Sequence, residues 1–172
     1  MHASLQLVLT RIILIKTIIQ HTVMYTSKQA AQECFLNLVR ELVYTYQTFT
    51  TYSGAHIRSL DLTTPQFDVL TTLGNTQGMT CKELGEKTLI TKGTLTGILD
   101  RLVEKGLITR IAGTEDRRTS QIALTPKGEA LFEEVFPEHI LYLKTQFEKL
   151  TESERRDAVE ALTKIRKVFP QS

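Results

Sequence analysis

Residues 92–101 read Lys92-Gly93-Thr94-Leu95-Thr96-Gly97-Ile98-Leu99-Asp100-Arg101, which places basic, hydroxyl and very small side chains on one helical face and aliphatic ones on the other. Lysine and arginine pair with phosphates or base edges, threonine hydroxyls do either, and glycines let a helix backbone come close to what it lies on. Thr91 stands where it can cap such a helix, and Lys82 and Arg110 flank it in the chain. Two consecutive arginines, Arg117 and Arg118, follow in a polar stretch that also holds Gly113, Glu115 and Asp116. Arginine at the tip of a hairpin gains from the negative potential of a narrow minor groove. One of the two is expected there, and the other is expected inside, paired with Asp100 or Asp116.

Other residues suggest smaller chemistries. Tyr44, Tyr46, Phe49, Tyr52, His56 and Arg58 form an aromatic and polar cluster on one helical stretch. Helical aromatics are core by default, while His56 or Arg58 offers a partner for an anionic small molecule. Cys34 and Cys81 lie far apart and form no CxxC pair, which excludes a disulfide framework or zinc knuckle and fits a reducing cytoplasm. A sensing thiol needs access and a lowered pKa; without them Cys34 reads as a buried, inert cysteine. Catalysis finds no support. Gly85-Glu86-Lys87-Thr88 lacks the lysine directly after glycine that a phosphate loop requires, and His2, His21, His56 and His139 fall in no metal-ligand spacing. The chain is read as a non-enzyme with no cofactor and no metal.

These residues need a scaffold, and the apolar pattern supplies one. A helix is expected from Ser27, with Ala31, Cys34, Phe35, Leu38, Leu42 and Val43 at spacings of three and four, loosening at Ser53-Gly54. Thr63, Thr64 and Pro65 read as cap and first turn of a second helix carrying Phe67, Leu70 and Leu73 to Gly74. Thr80 and Glu83 have capping-box spacing for a short third helix. The fourth, residues 92–105, buries a stripe of Leu95, Ile98, Leu99, Leu102 and Val103 and ends at Gly106. Residues 107–110 and 120–124 are β-type runs joined by the charged loop. Pro126 and Gly128 open a helix expected to break or kink near Pro137, and Thr151 caps a last helix striped by Val159, Leu162, Ile165 and Val168. Two short helices across a tight turn followed by a hairpin make a winged helix-turn-helix, whose second helix fits a major groove about 12 Å wide.

Composition agrees without deciding. The total charge is only +2, but residues 79–128 hold nine basic against six acidic side chains, so the positive charge is concentrated on the winged segment. A solvated helix face would carry such charges too; the wing and the order of elements turn the reading toward double-stranded DNA. Residues 1–24 are rich in leucine and isoleucine, yet Arg11 and Lys16 interrupt them and no signal-peptide cleavage pattern follows. They read as an extra helix or as sequence upstream of a start at Met24, and no membrane association is expected.

Taken in order, Thr91-Lys92-Gly93-Thr94-Leu95-Thr96, Leu99-Asp100-Arg101-Leu102, Lys105-Gly106-Leu107-Ile108, Glu115-Asp116-Arg117-Arg118 and Leu124-Thr125-Pro126-Lys127-Gly128 resemble the multiple antibiotic resistance regulator (MarR) family. The likeness runs over residues 27–169 and includes Leu62-Thr63-Thr64-Pro65-Gln66-Phe67. It departs early in the wing, where Ile111-Ala112-Gly113-Thr114 lacks an acidic residue that the family often has. The resemblance implies a mainly α fold with a small β-hairpin wing and N- and C-terminal helices forming a dimerisation region. Its domains would be an N-terminal extension (1–24), a dimerisation helix (25–60), the DNA-binding lobe (61–126) and C-terminal dimerisation helices (127–172). It further implies a homodimer on a palindromic operator and repression relieved by a small molecule. Lys82, Thr91, Lys92, Gly93, Thr94, Thr96, Gly97, Arg101, Arg110, Arg117 and Arg118 would then be the DNA-facing residues, and Tyr44, Tyr52, His56 and Arg58 the effector pocket. Cys34-Phe35-Leu36 is similar to the start of the family's organic hydroperoxide sensors, which gives a redox-sensing alternative through Cys34. A winged-helix module that docks a protein partner is the other alternative.

Overall fold

A computed structural model describes residues 26–88, 90–112 and 120–170, and the chain divides into two compact units, residues 1–48 and 49–172. Residues 1–25, for which the sequence offers an extra helix or an upstream extension, lie outside the described residues, as does the wing tip with Arg117 and Arg118.

In the first unit Thr26 caps the short helix α1 (Ser27–Ala30): its hydroxyl accepts from the Gln29 amide while the Gln29 side chain accepts from the Thr26 amide. Turns at residues 31–35 separate α1 from α2 (Leu36–Ser59), so the single helix expected from Ser27 is two. The first half of α2 exposes Leu38, Val39, Leu42, Val43 and Tyr44, and Cys34 is exposed rather than buried.

The second unit takes the rest of α2 and the elements that follow. The helix does not loosen at Ser53-Gly54, because Gly54 is buried at a close approach: a Cβ there would stand 3.3 Å from Arg58 Nη1 and 3.4 Å from Thr64 Oγ1. Helix α3 (Thr64–Leu73) starts as its sequence requires, with Thr63 and Gln66 in a capping box and proline in the first turn. Then come strand β1 (Met79–Thr80), α4 (Cys81–Thr88), α5 (Lys92–Glu104), the hairpin β2 (Ile108–Ala112) and β3 (Ser120–Leu124), and helices α6 (Pro126–Phe147) and α7 (Glu152–Lys167).

The strands form one antiparallel sheet in the order β1-β3-β2, with Ile108 opposite Leu124 and Met79 opposite Ile122. Sequence patterning yields the hairpin but not β1, whose two residues pair with a strand far along the chain. Leu70, Leu73, Leu84, Leu95, Leu99, Leu102, Ile108 and Ile122 make the core under this sheet. Val103, expected in the buried stripe, is 39% exposed. Helix α6 is unbroken through Pro137. The proline and Glu133, whose carbonyl loses its intrahelical donor, are both exposed, so water can take the place of the missing amide. Among the described residues no helix is long and apolar enough to cross a membrane, and no group of histidine, cysteine and carboxylate side chains could hold a metal.

Candidate nucleic-acid interface

Helix α4 is fixed at both ends. Its first turn is held by Thr80, whose amide and hydroxyl donate to Glu83 Oε2 at 2.8 Å each, while the Glu83 amide donates back to the threonine hydroxyl. Those bonds favour the carboxylate form and hold the Glu83 pKa below its ordinary value, the backbone donor contributing most. At its far end the Thr88 hydroxyl donates to the Leu84 carbonyl, and Leu84 is fully buried. Lys82 is left on the surface, 3.9 Å from Glu86 one turn on.

Helix α5 divides into two faces. Leu95, Ile98, Leu99 and Leu102 are buried, whereas Gly93, Thr94, Thr96, Gly97 and Arg101 are exposed. Thr91 occupies the N-cap position but caps nothing with its hydroxyl, which is hydrogen-bonded at 3.0 Å to the hydroxyl of Thr94. Two hydroxyls one turn apart are thereby joined at the exposed start of the helix. Lys92 opens α5. A Cβ added to Gly93 or to Gly97 would meet nothing within 4 Å among the described residues. Neither glycine has positive φ. Among the described residues, packing and backbone conformation therefore give no reason for glycine at either place, although Gly97, in mid-helix, costs about 1 kcal/mol relative to alanine.

The far end of α5 is held from two sides. Arg110 on β2 donates through Nη2 to Asp100 Oδ1 at 2.6 Å, tying the hairpin to the helix. The sequence offers Asp100 or Asp116 as the partner of one wing-tip arginine, and that arginine lies outside the described residues; among the described residues the partner of Asp100 is Arg110. Both side chains are about half exposed, so the pair contributes at most about 1 kcal/mol and its main effect is orientation. Beyond the helix, Gly106 takes the left-handed conformation (φ 67°). The Thr125 hydroxyl donates to the Gly106 carbonyl at 2.6 Å and Lys127 Nζ to the Lys105 carbonyl at 2.8 Å. Gly128 completes the clamp, since a Cβ there would stand 2.0 Å from the Leu107 oxygen. The Thr125-Pro126-Lys127-Gly128 run therefore secures the exit of α5 against the start of α6.

Of the residues expected to form a small-molecule pocket, Tyr52, His56 and Arg58 lie in the second unit. Tyr52 and His56 are brought together, each stacked on Tyr142 of α6, with ring centroids 4.5 and 4.0 Å apart. Tyr44 belongs to the first unit and is exposed, and Arg58 is exposed near Gly54. Sequence reasoning missed Ser53, His139, Tyr142 and Gln146. Ser53 and His139 are buried and joined at 3.1 Å, and the Gln146 amide donates to the Tyr52 hydroxyl. The hydrogen bond shared by the two phenols lowers the Tyr52 pKa and raises that of Tyr142. His139 and Tyr142 stand three apart on one helix, the one local sign that they share a face. What they meet is some eighty residues earlier in the chain, and periodicity does not report it.

The MarR family model matches residues 62–120, which run from just before α3 into the wing. An uncharacterized HTH-type transcriptional regulator of Bacillus cereus (strain ZK / E33L) is 37% identical over 116 residues, covering 67% of this chain and 77% of its own length. The HTH-type transcriptional regulator MhqR of Bacillus subtilis (strain 168) is 28% identical over 130 residues, 76% of this chain and 90% of its own. Among solved structures, BpsR of Bordetella bronchiseptica, whose DNA binding is regulated by 6-hydroxynicotinic acid, superposes with a TM-score of 0.67 at 28% identity. That match covers 76% of this chain and 98% of BpsR.

Proposed function

The chain belongs to the MarR family of winged-helix transcriptional regulators, and from that premise we propose that it is a homodimeric repressor that reads a palindromic operator with α5 in the major groove. The observation that carries the reading is the pair of glycines on α5. Gly97 weakens the helix, neither glycine is needed for packing among the described residues, and close approach to a duplex gives both a use. Around them Thr94, Thr96, Lys92 and Arg101 supply hydroxyl and cationic partners for phosphates and base edges, with Thr91 and Lys82 beside the helix start. Arg110 acts by bracing the wing through Asp100, and one of Arg117 and Arg118 at the tip enters the adjacent minor groove. Such a role places the protein in the cytoplasm with its DNA.

Dimerisation is supported by apolar faces left uncovered in each unit. Leu38, Leu42 and Val43 are exposed on α2 in the first, and Val159 and Leu162 on α7 in the second. A monomeric soluble chain rarely leaves so much aliphatic surface to water, and a second copy would cover it. A two-fold dimer then presents two α5 helices to half-sites about one helical turn apart. Relief by a small aromatic acid is supported by the regulation of BpsR by 6-hydroxynicotinic acid and by the Tyr52, His56 and Tyr142 rings.

Selection of bound fragments from genomic DNA, followed by footprinting, tests the proposal. Two protected half-sites about one turn apart are expected, with affinity reduced on the order of tenfold or more when Arg117 and Arg118 are both changed to alanine. No enriched fragment would reject the regulator reading, and full affinity in the double variant would remove the wing from the contact.

A further inference from the structure

Two imidazoles face each other where α2 crosses α6. His56 Nδ1 and His139 Nδ1 are 3.0 Å apart, and the remaining nitrogen of His139, Nε2, is 3.1 Å from Ser53 Oγ. A hydrogen bond between two ring nitrogens requires one to carry a proton and the other to be bare. The groups around the pair are unequal. On α6, Glu138 Oε1 approaches His56 Nε2 at 3.8 Å, and the Tyr142 ring stacks on His56. On α2, Ser53 and Tyr52 complete the surroundings, Tyr52 through its stacking on Tyr142. From α3 comes the uncharged edge of Phe67, 4.8 Å from His139; its neighbour Asp68 is shifted by burial alone, without a charged partner. His139 itself is 3% exposed.

We propose that the His56–His139 pair is a proton sensor built into the support of the DNA-binding lobe, holding one added proton and opening on the second. The geometry has room for one added proton, on His56 Nε2, which faces the Glu138 carboxylate while the Nδ1–H of His56 donates to bare Nδ1 of His139. Every partner is kept. The second can enter only at His139 Nδ1, where it sets N–H against N–H and places a second positive charge in a buried site without a carboxylate of its own. Desolvation, then repulsion from His56, holds the His139 pKa below its ordinary 6.5. The unfolded chain therefore binds more protons than the folded one below that value. The stabilisation is complete above pH 6.5 and is lost as the pH falls through the depressed value of His139. The output follows from α6: its first turn clamps the exit of α5 through Lys127, Thr125 and Gly128, so parting α2 from α6 disturbs the recognition helix.

The sensor stands on this geometry, whereas its output rests on the DNA-binding reading. Proton NMR of the imidazoles across the acid range tests the first, with resonances assigned from His56→Gln and His139→Gln. The expected result is that His139 stays neutral to lower pH than an ordinary imidazole and that His56→Gln relieves part of this; a His139 resonance that titrates in the ordinary range, unmoved by His56→Gln, would overturn the sensor. Operator affinity at about pH 7.5 and about pH 5.5 tests the second, with a loss on the order of tenfold expected in the wild type and a flat response in His139→Gln. An equally steep loss in His139→Gln would overturn the coupling. Should that variant not fold, wild-type NMR still decides the sensor, and His56→Gln takes its place for the coupling, because losing one imidazole must shallow the response. A depressed His139 titration without operator binding at any pH would count against the regulator reading and leave the sensor standing.

Discussion

Gly97 separates what a helix needs from what its partner needs. In mid-helix it forgoes about 1 kcal/mol relative to alanine, and a methyl group there would touch nothing among the described residues. Gly97→Ala is accordingly expected to raise the melting temperature by about 2–4 °C while weakening operator binding on the order of tenfold. Calorimetry and a mobility-shift titration check the two halves; a more stable variant with undiminished affinity would show that the backbone does not approach DNA there. The sequence made this face legible, since residue type and spacing alone divide it from the buried leucines. It did not show that Thr91 turns its hydroxyl to Thr94, or that Arg110 takes Asp100, because each choice depends on where a neighbouring side chain points once the elements have packed.

Elements were legible where their signals are local. The boxes at Thr80-Glu83 and Thr151-Glu154 lie within one turn of chain, and the structure shows both. Strand β1 escaped because two residues carry no periodicity and their partner is Ile122. The helix across Ser53-Gly54 escaped because a glycine that serves close packing looks, in sequence, like one that ends a helix. Helix α7 illustrates the opposite case, a clear apolar stripe left largely exposed among the described residues: Val159 is 65% exposed and Leu162 51%, with Ile165 half-buried. A charge introduced into a dimer seam must be buried unpaired, so Leu162→Asp is expected to give monomers that keep their helical signal. Light scattering with circular dichroism checks this, and an intact dimer would exclude α7 from the seam.

For the molecule as a whole, the order of elements carried the reading further than any single motif. Total charge is nearly neutral, and only its concentration on the winged segment, together with two helices, a turn and a hairpin, points to a duplex. The tertiary cluster of His56, His139, Tyr52 and Tyr142 was invisible at that level, since it joins helices far apart in the chain. The central claim is that α5 and the wing engage DNA as a dimer, and neutralising phosphates has an unavoidable signature. Equilibrium affinity for a selected operator, measured over a series of salt concentrations, tests it most directly. A log–log slope of about −4 or steeper is expected, at about −0.9 per phosphate neutralised, with two chains bound per site. A slope near zero would contradict the account and favour a module that docks a protein partner.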